Sequence, residues 1–295
     1  MTERRFQTVA IVGVGLIGAS FGLALRRAGF RGRILGVSSP AATEEGLRRG
    51  AIDEAKPLAE AAQQADLLLL AQPICRILDT LGSLDAWLQP HCLVTDAGST
   101  KLRIVERARR SIQRAQFLGG HPMAGKEKRG AAEAEADLFA GRTWILTPSD
   151  PGELQTAAAR ELLDWIRAMG AVPLIMSPEE HDRVVAFTSH LPQLLSTALA
   201  VTLSEQLQAP EHLRAGGPGL RDMTRLAASP FDIWRDIVAT NQEPIRVALA
   251  LCLETLKRLQ SLLGTDGLAT AFERAAAFAR SIRDENTPPA RRLTT

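Results

Sequence analysis

The sequence predicts an α/β fold in which a doubly wound, mostly parallel sheet is followed by an all-helical second domain. Three observations predict it. Short β-rich runs alternate with helical stretches from Thr8 to about Ile175, a glycine-rich turn separates the first run from the first helix, and β-rich runs vanish after Ser177-Pro178. At 295 residues and 45% hydrophobic content, the chain has enough apolar side chain for two cores. The expected division is residues 1–176 as the sheet domain, residues 177–285 as the helical domain, and residues 286–295, with Pro288-Pro289 and Arg291-Arg292, as a disordered tail.

Strands are expected at Thr8–Val12, Ile34–Val37, Leu67–Ala71, Leu93–Thr95, Gln116–Leu118, Trp144–Leu146 and Val172–Ile175. Leu67-Leu68-Leu69-Leu70 is apolar without alternation, as in a central strand covered on both faces, and Asp66 and Gln72-Pro73 mark its ends. Beyond Ser177, helical spacing continues to about Arg283. Pro244 suits a first helical turn, as does Pro230 with Ser229 as a cap before it. Ile245, Leu249, Leu253 and Leu256 recur at helical intervals and Gly264 is a stop signal. That apolar face is either the helical domain's own core or a dimer interface.

Thirty-five Lys+Arg nearly cancel 33 Asp+Glu, and no basic stripe follows the chain, so nucleic acid is not an expected partner. Cys75, Cys92 and Cys252 are odd in number and far apart, which favours neither a disulfide framework nor a metal motif and fits a reducing cytoplasm. No stretch is expected to reach the ~18 apolar residues of a membrane span.

Val9–Val12 runs straight into Gly13-Val14-Gly15-Leu16-Ile17-Gly18, and a helical pattern follows through Phe21, Leu23 and Leu25. Strand, glycine turn and helix in that order are the dinucleotide fingerprint of a Rossmann-type fold. Gly13 permits the turn, Gly15 admits a pyrophosphate, Gly18 allows close packing, and the helix N-terminus favours the anion. Leu16 and Ile17, in the same turn, are candidate cofactor contacts. An acid usually binds the adenosine ribose about 20 residues later. Ser38-Ser39 stand there instead, with Thr43 following. Without a carboxylate to repel a 2′-phosphate, NADP is admitted ahead of NAD, although no arginine stands beside the serines.

Polar residues gather in three further segments: Thr95-Asp96-Ala97-Gly98-Ser99-Thr100-Lys101, Gly119-Gly120-His121-Pro122-Met123-Ala124-Gly125-Lys126-Glu127, and Ser189-His190-Leu191-Pro192-Gln193. The first two follow strands, where this fold class binds ligands, so Gln72, Pro73, Asp96 and Gly98 join the candidate cofactor set. The two glycines before His121 suit close approach to a ligand. These segments, with Arg221-Asp222-Met223-Thr224-Arg225 and the glycine turn, occur in the order of the prephenate/arogenate dehydrogenase family, which the chain resembles from Thr8 to about Arg283.

The resemblance implies an NAD(P)-dependent oxidoreductase of tyrosine biosynthesis that oxidises prephenate, or arogenate, with loss of carbon dioxide, and works as a cytoplasmic homodimer joined through helical domains. It assigns His121 as acceptor of the ring-hydroxyl proton, work that suits a neutral imidazole with an ordinary pKa near ~6.5. Ser99 would hold the hydroxyl or the carboxamide in register. Arg225 is the matching cation for a substrate carboxylate, with Asp222 on the same helical face to orient it. Trp234 and Asn241 match family positions, the former as packing beneath the arginine. His190 is either a substrate contact or a buried, hydrogen-bonded imidazole. Gln193 departs from family members that carry histidine there, at a position facing the substrate side chain. Lys126 would favour doubly anionic prephenate, whereas Glu127 would accept the ammonium of arogenate. No metal is expected.

Two rivals remain from the residues alone. A β-hydroxy acid dehydrogenase would need a lysine acceptor in the helical domain, where only Lys257 stands, on a leucine-rich helix. A non-catalytic NAD(P)-binding sensor would not need His121, Ser99 and Arg225.

Overall fold

Eight strands form one sheet among the residues that the computed structural model describes, 6–126, 128–207 and 209–285. They are β1 (Thr8–Val12), β2 (Arg33–Val37), β3 (Glu54–Ala55), β4 (Leu67–Leu70), β5 (Leu93–Asp96), β6 (Gln116–Pro122), β7 (Thr143–Thr147) and β8 (Val172–Ile175). Their order, β3-β2-β1-β4-β5-β6-β7-β8, changes direction between β1 and β4. All neighbouring pairs are parallel except β6 and β7. The expected Rossmann-type, doubly wound sheet is therefore present.

Both faces are dry. Val9, Ile11, Leu67 and Leu69 pack with Phe21 and Leu25 of α1 (Leu16–Arg27) and Leu162 and Ile166 of α6 (Ala157–Ala168). Ala10, Val12, Leu68 and Leu70 point the other way, toward α3 (Leu58–Gln64), α4 (Ile74–Leu84) and α5 (Leu102–Ser111). A strand covered on both sides needs no polar face, which explains the unbroken leucine run. A further helix, α2 (Pro40–Arg48), follows β2.

Two strand expectations need correction. β3 is only two residues long, too short to carry a periodicity, and was not expected. β6 continues four residues past Leu118, through Gly119-Gly120-His121-Pro122, and pairs antiparallel with β7, His121 lying opposite Ile145. His121 thus sits in a strand rather than in a loop beyond one. The glycines before it serve strand packing: an added Cβ would lie 2.3 Å from Thr147 Oγ1 at Gly119 and 2.6 Å from Asp96 O at Gly120.

The chain separates into two compact units, one ending at Pro244 and one beginning at Ile245. The first holds the sheet and also α7 (Pro178–Val185), α8 (Leu191–Gln206), α9 (Pro210–Leu213), α10 (Pro218–Thr224) and α11 (Phe231–Thr240). A widened π turn, Ala186–His190, joins α7 to α8. Its cause lies in Pro192, which cannot donate to the preceding turn and would crowd the carbonyl four residues back. Within the helical run 178–206 an 18-residue window has a mean hydropathy of 1.4, so by length and composition it could cross a membrane. That corrects the expectation that no stretch qualifies: Glu179, Glu180, Asp182, Arg183 and Glu205 stand at its two ends and leave the stretch between them without a charged side chain. Ser229 does not cap a helix with its side chain; it ends the 3-10 turn Arg225–Ala228, and Pro230 holds the N-cap position of α11.

In the second unit, the helix begun at Gln242 (α12, Gln242–Ser261) ends before Gly264, whose φ of +78° makes the turn, and α13 spans Gly267–Glu285. Leu253, Leu256, Phe272 and Phe278 of these helices are 55, 50, 69 and 67% exposed. The expected disordered tail, 286–295, lies outside the described residues.

Candidate active site

β1 delivers the chain to Gly13, where φ is +100° and an added Cβ would lie 2.5 Å from Ala71 O. Gly18 is equally closed, its Cβ falling 2.1 Å from Gly13 O. Gly15 differs, because a Cβ there would meet nothing within 4 Å. The backbone therefore faces open space where a pyrophosphate would lie. α1 starts at once with no side-chain cap and no acid in its first turn, which leaves its first N–H groups to an anion. Leu16, Ile17, Gln72, Pro73, Gly98 and Ser99 line a cleft of about 380 Å³ in the same place. A dinucleotide fits these residues.

Ser38 and Ser39 are exposed at the end of β2. Thr43 is not available beside them: it is buried, and its hydroxyl donates to Pro40 O at 3.0 Å and Ser39 O at 3.2 Å, within its own helix. Asp96 also turns inward. Fully buried, it accepts from Gly98 N at 2.8 Å and Gly120 N at 3.1 Å and pairs with the buried Lys101 ammonium, which donates to Gly120 O at 2.7 Å. These bonds tie the loop after β5 to β6, so Asp96 shapes the cleft from behind rather than lining it. Ser99 is half-buried and does not cap α5. That work falls to Asp182 of α7, which accepts from Lys101 N at 2.7 Å and Leu102 N at 3.0 Å.

The imidazole of His121 meets a second histidine that sequence reasoning missed. His121 Nδ1 lies 2.8 Å from His181 Nε2, and His181 Nδ1 lies 2.8 Å from Asp182 Oδ1. His121 Nε2 has no hydrogen-bond partner among the described residues. Burial, followed by the neighbouring His181, Lys101 and His190, pushes the His121 pKa well below the ordinary imidazole value. His181, itself fully buried, is also held down, chiefly by burial. The helical spacing of Pro178–Val185 gave His181 no distinction in sequence, because its partner lies 60 residues away.

His190 takes the bland alternative. It is 1% exposed, its Nδ1 lies 3.2 Å from Asn241 Nδ2, and Trp234 packs against it edge-on at 5.9 Å. Burial lowers its pKa to about 4. Trp234 thus packs on this histidine and against the core that α4 helps to form. Asn241 also donates to Asp182 O at 2.8 Å, which joins both histidine neighbourhoods to α11.

Arg221, Asp222 and Arg225 line a cleft of about 840 Å³ with Gly125, Lys126 and Ile233. The last three also line the cofactor-side cleft, so the two spaces meet there. His121 is not among the lining residues of either, but the strand that carries it leads within four residues to Gly125. Arg225 is exposed. The turn that bears it is pinned from α8: Gln193 Nε2 donates to Leu226 O at 2.8 Å, and Ser196 Oγ accepts from Ala227 N at 3.0 Å. Gln193 is therefore buried and engaged with that turn, a correction to its placement facing a substrate side chain. The Lys126 ammonium pairs with Glu135 and donates to Glu133 O at 3.2 Å, so part of its charge is already balanced. Glu127 lies outside the described residues. Among the described residues no cluster of metal-binding side chains occurs.

Comparison with known proteins fits this geometry. The description "Prephenate dehydrogenase, nucleotide-binding domain" matches residues 21–172, beginning just after the glycine turn, and "Prephenate dehydrogenase, dimerization domain" matches residues 177–274. A Bacillus subtilis prephenate dehydrogenase is 35% identical over 247 residues, 81% of this chain; the chain spans 65% of that relative's length. The solved prephenate dehydrogenase of A. aeolicus, in complex with hydroxyphenyl propionate and NAD+, is 32% identical, with a TM-score of 0.85 over 94% of this chain and 98% of that one. Synechocystis arogenate dehydrogenase is 30% identical, with a TM-score of 0.78 over 94% and 99%. The chain belongs to the prephenate dehydrogenase family.

Proposed function

We propose that this chain is an NAD(P)-dependent oxidoreductase that converts prephenate to 4-hydroxyphenylpyruvate, with residues 1–176 binding the dinucleotide and residues 177–285 providing substrate contacts and a homodimer interface. The observation that carries the reading is the junction at Gly125, Lys126 and Ile233, where the cleft beside the glycine turn opens into the cleft lined by Arg225. His121, with a bare Nε2, stands four residues away on the strand that feeds this junction.

The nicotinamide, when bound, supplies a hydride acceptor. The chain supplies the rest. Gly15 and the first turn of α1 hold the pyrophosphate, and Ser99 orients the ring hydroxyl or the carboxamide. His121 Nε2 takes the hydroxyl proton as hydride departs from the same carbon. Arg225 grips a carboxylate of the substrate. Once the ketone forms, the ring carboxylate leaves as carbon dioxide, the electron pair of its bond enters the ring, which becomes aromatic, and the former ketone oxygen, now a phenolate, takes up a proton. The exposed Ser38 and Ser39 accept NADP as well as NAD.

Arogenate is the second reading, because Asp222 lines the same cleft and would accept an ammonium. Steady-state rates with prephenate and arogenate, each with NAD and NADP, test both. Reduction of cofactor with prephenate at higher kcat/KM supports the first reading, a preference for arogenate replaces it with the second, and no reduction with either removes both.

A further inference from the structure

The hydrogen-bond geometry around the half-buried His121 settles where protons sit along a chain that runs through the buried His181 and Asp182. Asp182 accepts backbone N–H groups on both oxygens, from Lys101 at 2.7 Å and Leu102 at 3.0 Å. Those groups can only donate, so the Asp182 carboxylate is an acceptor, and the hydrogen between it and His181 Nδ1, at 2.8 Å, belongs to the ring. His181 is fully buried and neutral, so its Nε2 is then a bare lone pair. The hydrogen of the next contact, also 2.8 Å, must belong to His121 Nδ1. A neutral His121 consequently carries its free lone pair on Nε2.

We propose that His181 and Asp182 are positioning residues that fix the tautomer and ring orientation of His121, so that Nε2 is the atom that takes a proton from the substrate. This rests on His121 being the base, as argued above. The anchoring is rigid because Asp182 is held by the N-terminus of α5, the same helix that follows Ser99 and the buried Lys101. When the hydroxyl proton reaches Nε2, the hydride has left with its electron pair, and the new imidazolium keeps its Nδ1–H on His181 Nε2. The positive charge then faces Asp182 through the second ring. The other groups facing His121 are Lys101, ahead of α5, and His190, in the π turn; Asp96 and Lys101 also face His181. Neither Lys101 nor His190 hydrogen-bonds the His121 ring among the described residues, so neither can set its tautomer.

The test compares His181→Leu, which removes the acceptor, with His181→Gln, whose amide oxygen can still accept from His121 Nδ1. Each is made in the full chain and in a His121→Asn background. The readouts are kcat, KM for prephenate and dissociation constants for NAD and NADP. His181→Leu should lower kcat roughly 10–100-fold, the scale at which an orienting partner acts, with KM and cofactor affinity little changed. His181→Gln should recover most of that loss. In the His121→Asn background, His181→Leu should cost nothing further, because a residue acting only through another has no independent effect. Equal losses in both backgrounds, or a Gln variant no better than Leu, would overturn the proposal. If His121→Asn alone left kcat unchanged, the base assignment itself would fall; if it lowered kcat while His181→Leu did not, the base would stand and the positioning role would fail.

Discussion

At His121 the same burial that keeps the imidazole neutral also sets the pH range over which it works. Burial, followed by the neighbouring His181, Lys101 and His190, holds its pKa well below the ordinary value near ~6.5. A base acts when deprotonated, so kcat/KM, which follows protonation of the free site, should stay level from about pH 8 down through pH 6.5 and fall only at lower pH, as the ring finally takes up a proton. A profile of kcat/KM against pH with an acid limb centred near ~6.5 would contradict this. His121→Asn should lower kcat by roughly 10²–10⁴ while leaving cofactor affinity intact, the usual worth of a general base. Arg225 is solvent-exposed, so its carboxylate contact is worth about 1.5–3 kcal/mol, and Arg225→Ala should raise KM for prephenate roughly 10–100-fold without changing the dissociation constant for NAD or NADP. A local motif sufficed to bring Leu16, Ile17, Ser99 and Arg225 to the lining of one cleft or the other, and His121 to the strand that leads toward their junction. Thr43, Asp96 and Gln193 were misplaced for one reason. Short-range spacing puts a polar residue near a site but does not show whether its hydrogen bonds point into the cleft or back into the protein.

Along single elements, the turn from β1 into α1 separates two roles that the glycine pattern merges. Gly18 is closed by Gly13 O, whereas Gly15 borders open space. Gly18→Ala must therefore push strand and helix apart and should lower the melting temperature. Gly15→Ala should leave the melting temperature within about a degree, since surface changes that meet nothing cost little, and weaken dinucleotide binding at least tenfold by filling the anion cradle. Thermal unfolding and fluorescence titration with NADH on both variants check the pair; equal loss of stability would remove the distinction. Long strands with both faces buried declared themselves in sequence, as Leu67–Leu70 did. The tail of β6 did not, because Gly119-Gly120 reads as a loop until its pairing with β7 is known. The π turn was hidden for a related reason: Pro192 reads as a helix start, and only tertiary packing lets the helix run on through it.

For the whole molecule, two features should show in solution. Leu253, Leu256, Phe272 and Phe278 leave large apolar side chains uncovered in the single chain, which fits the proposed homodimer. Phe272→Glu should shift sedimentation from dimer toward monomer, and a monomeric parent protein would remove that interface. The second feature is the stability of the fold against acid. His181 and His190 are buried and His121 is half-buried, and all three have lowered pKa values, that of His190 to about 4. In the unfolded chain each returns to about 6.5. Below that value the unfolded state binds protons that the folded state refuses, so the free energy of unfolding falls as pH falls, by at most about 1.4 kcal/mol per pH unit for each ring. Above about pH 7 neither state binds those protons and the contribution is flat. Urea unfolding between pH 8 and pH 5 should therefore show a plateau and then a decline beginning near 6.5, before the carboxylates titrate. Replacing His190 with Gln should reduce the slope of that decline by about one proton, close to 1.4 kcal/mol per pH unit, whatever it does to stability at pH 8. An unchanged slope would mean that His190 is protonated in the folded protein, against its burial and its bond to Asn241.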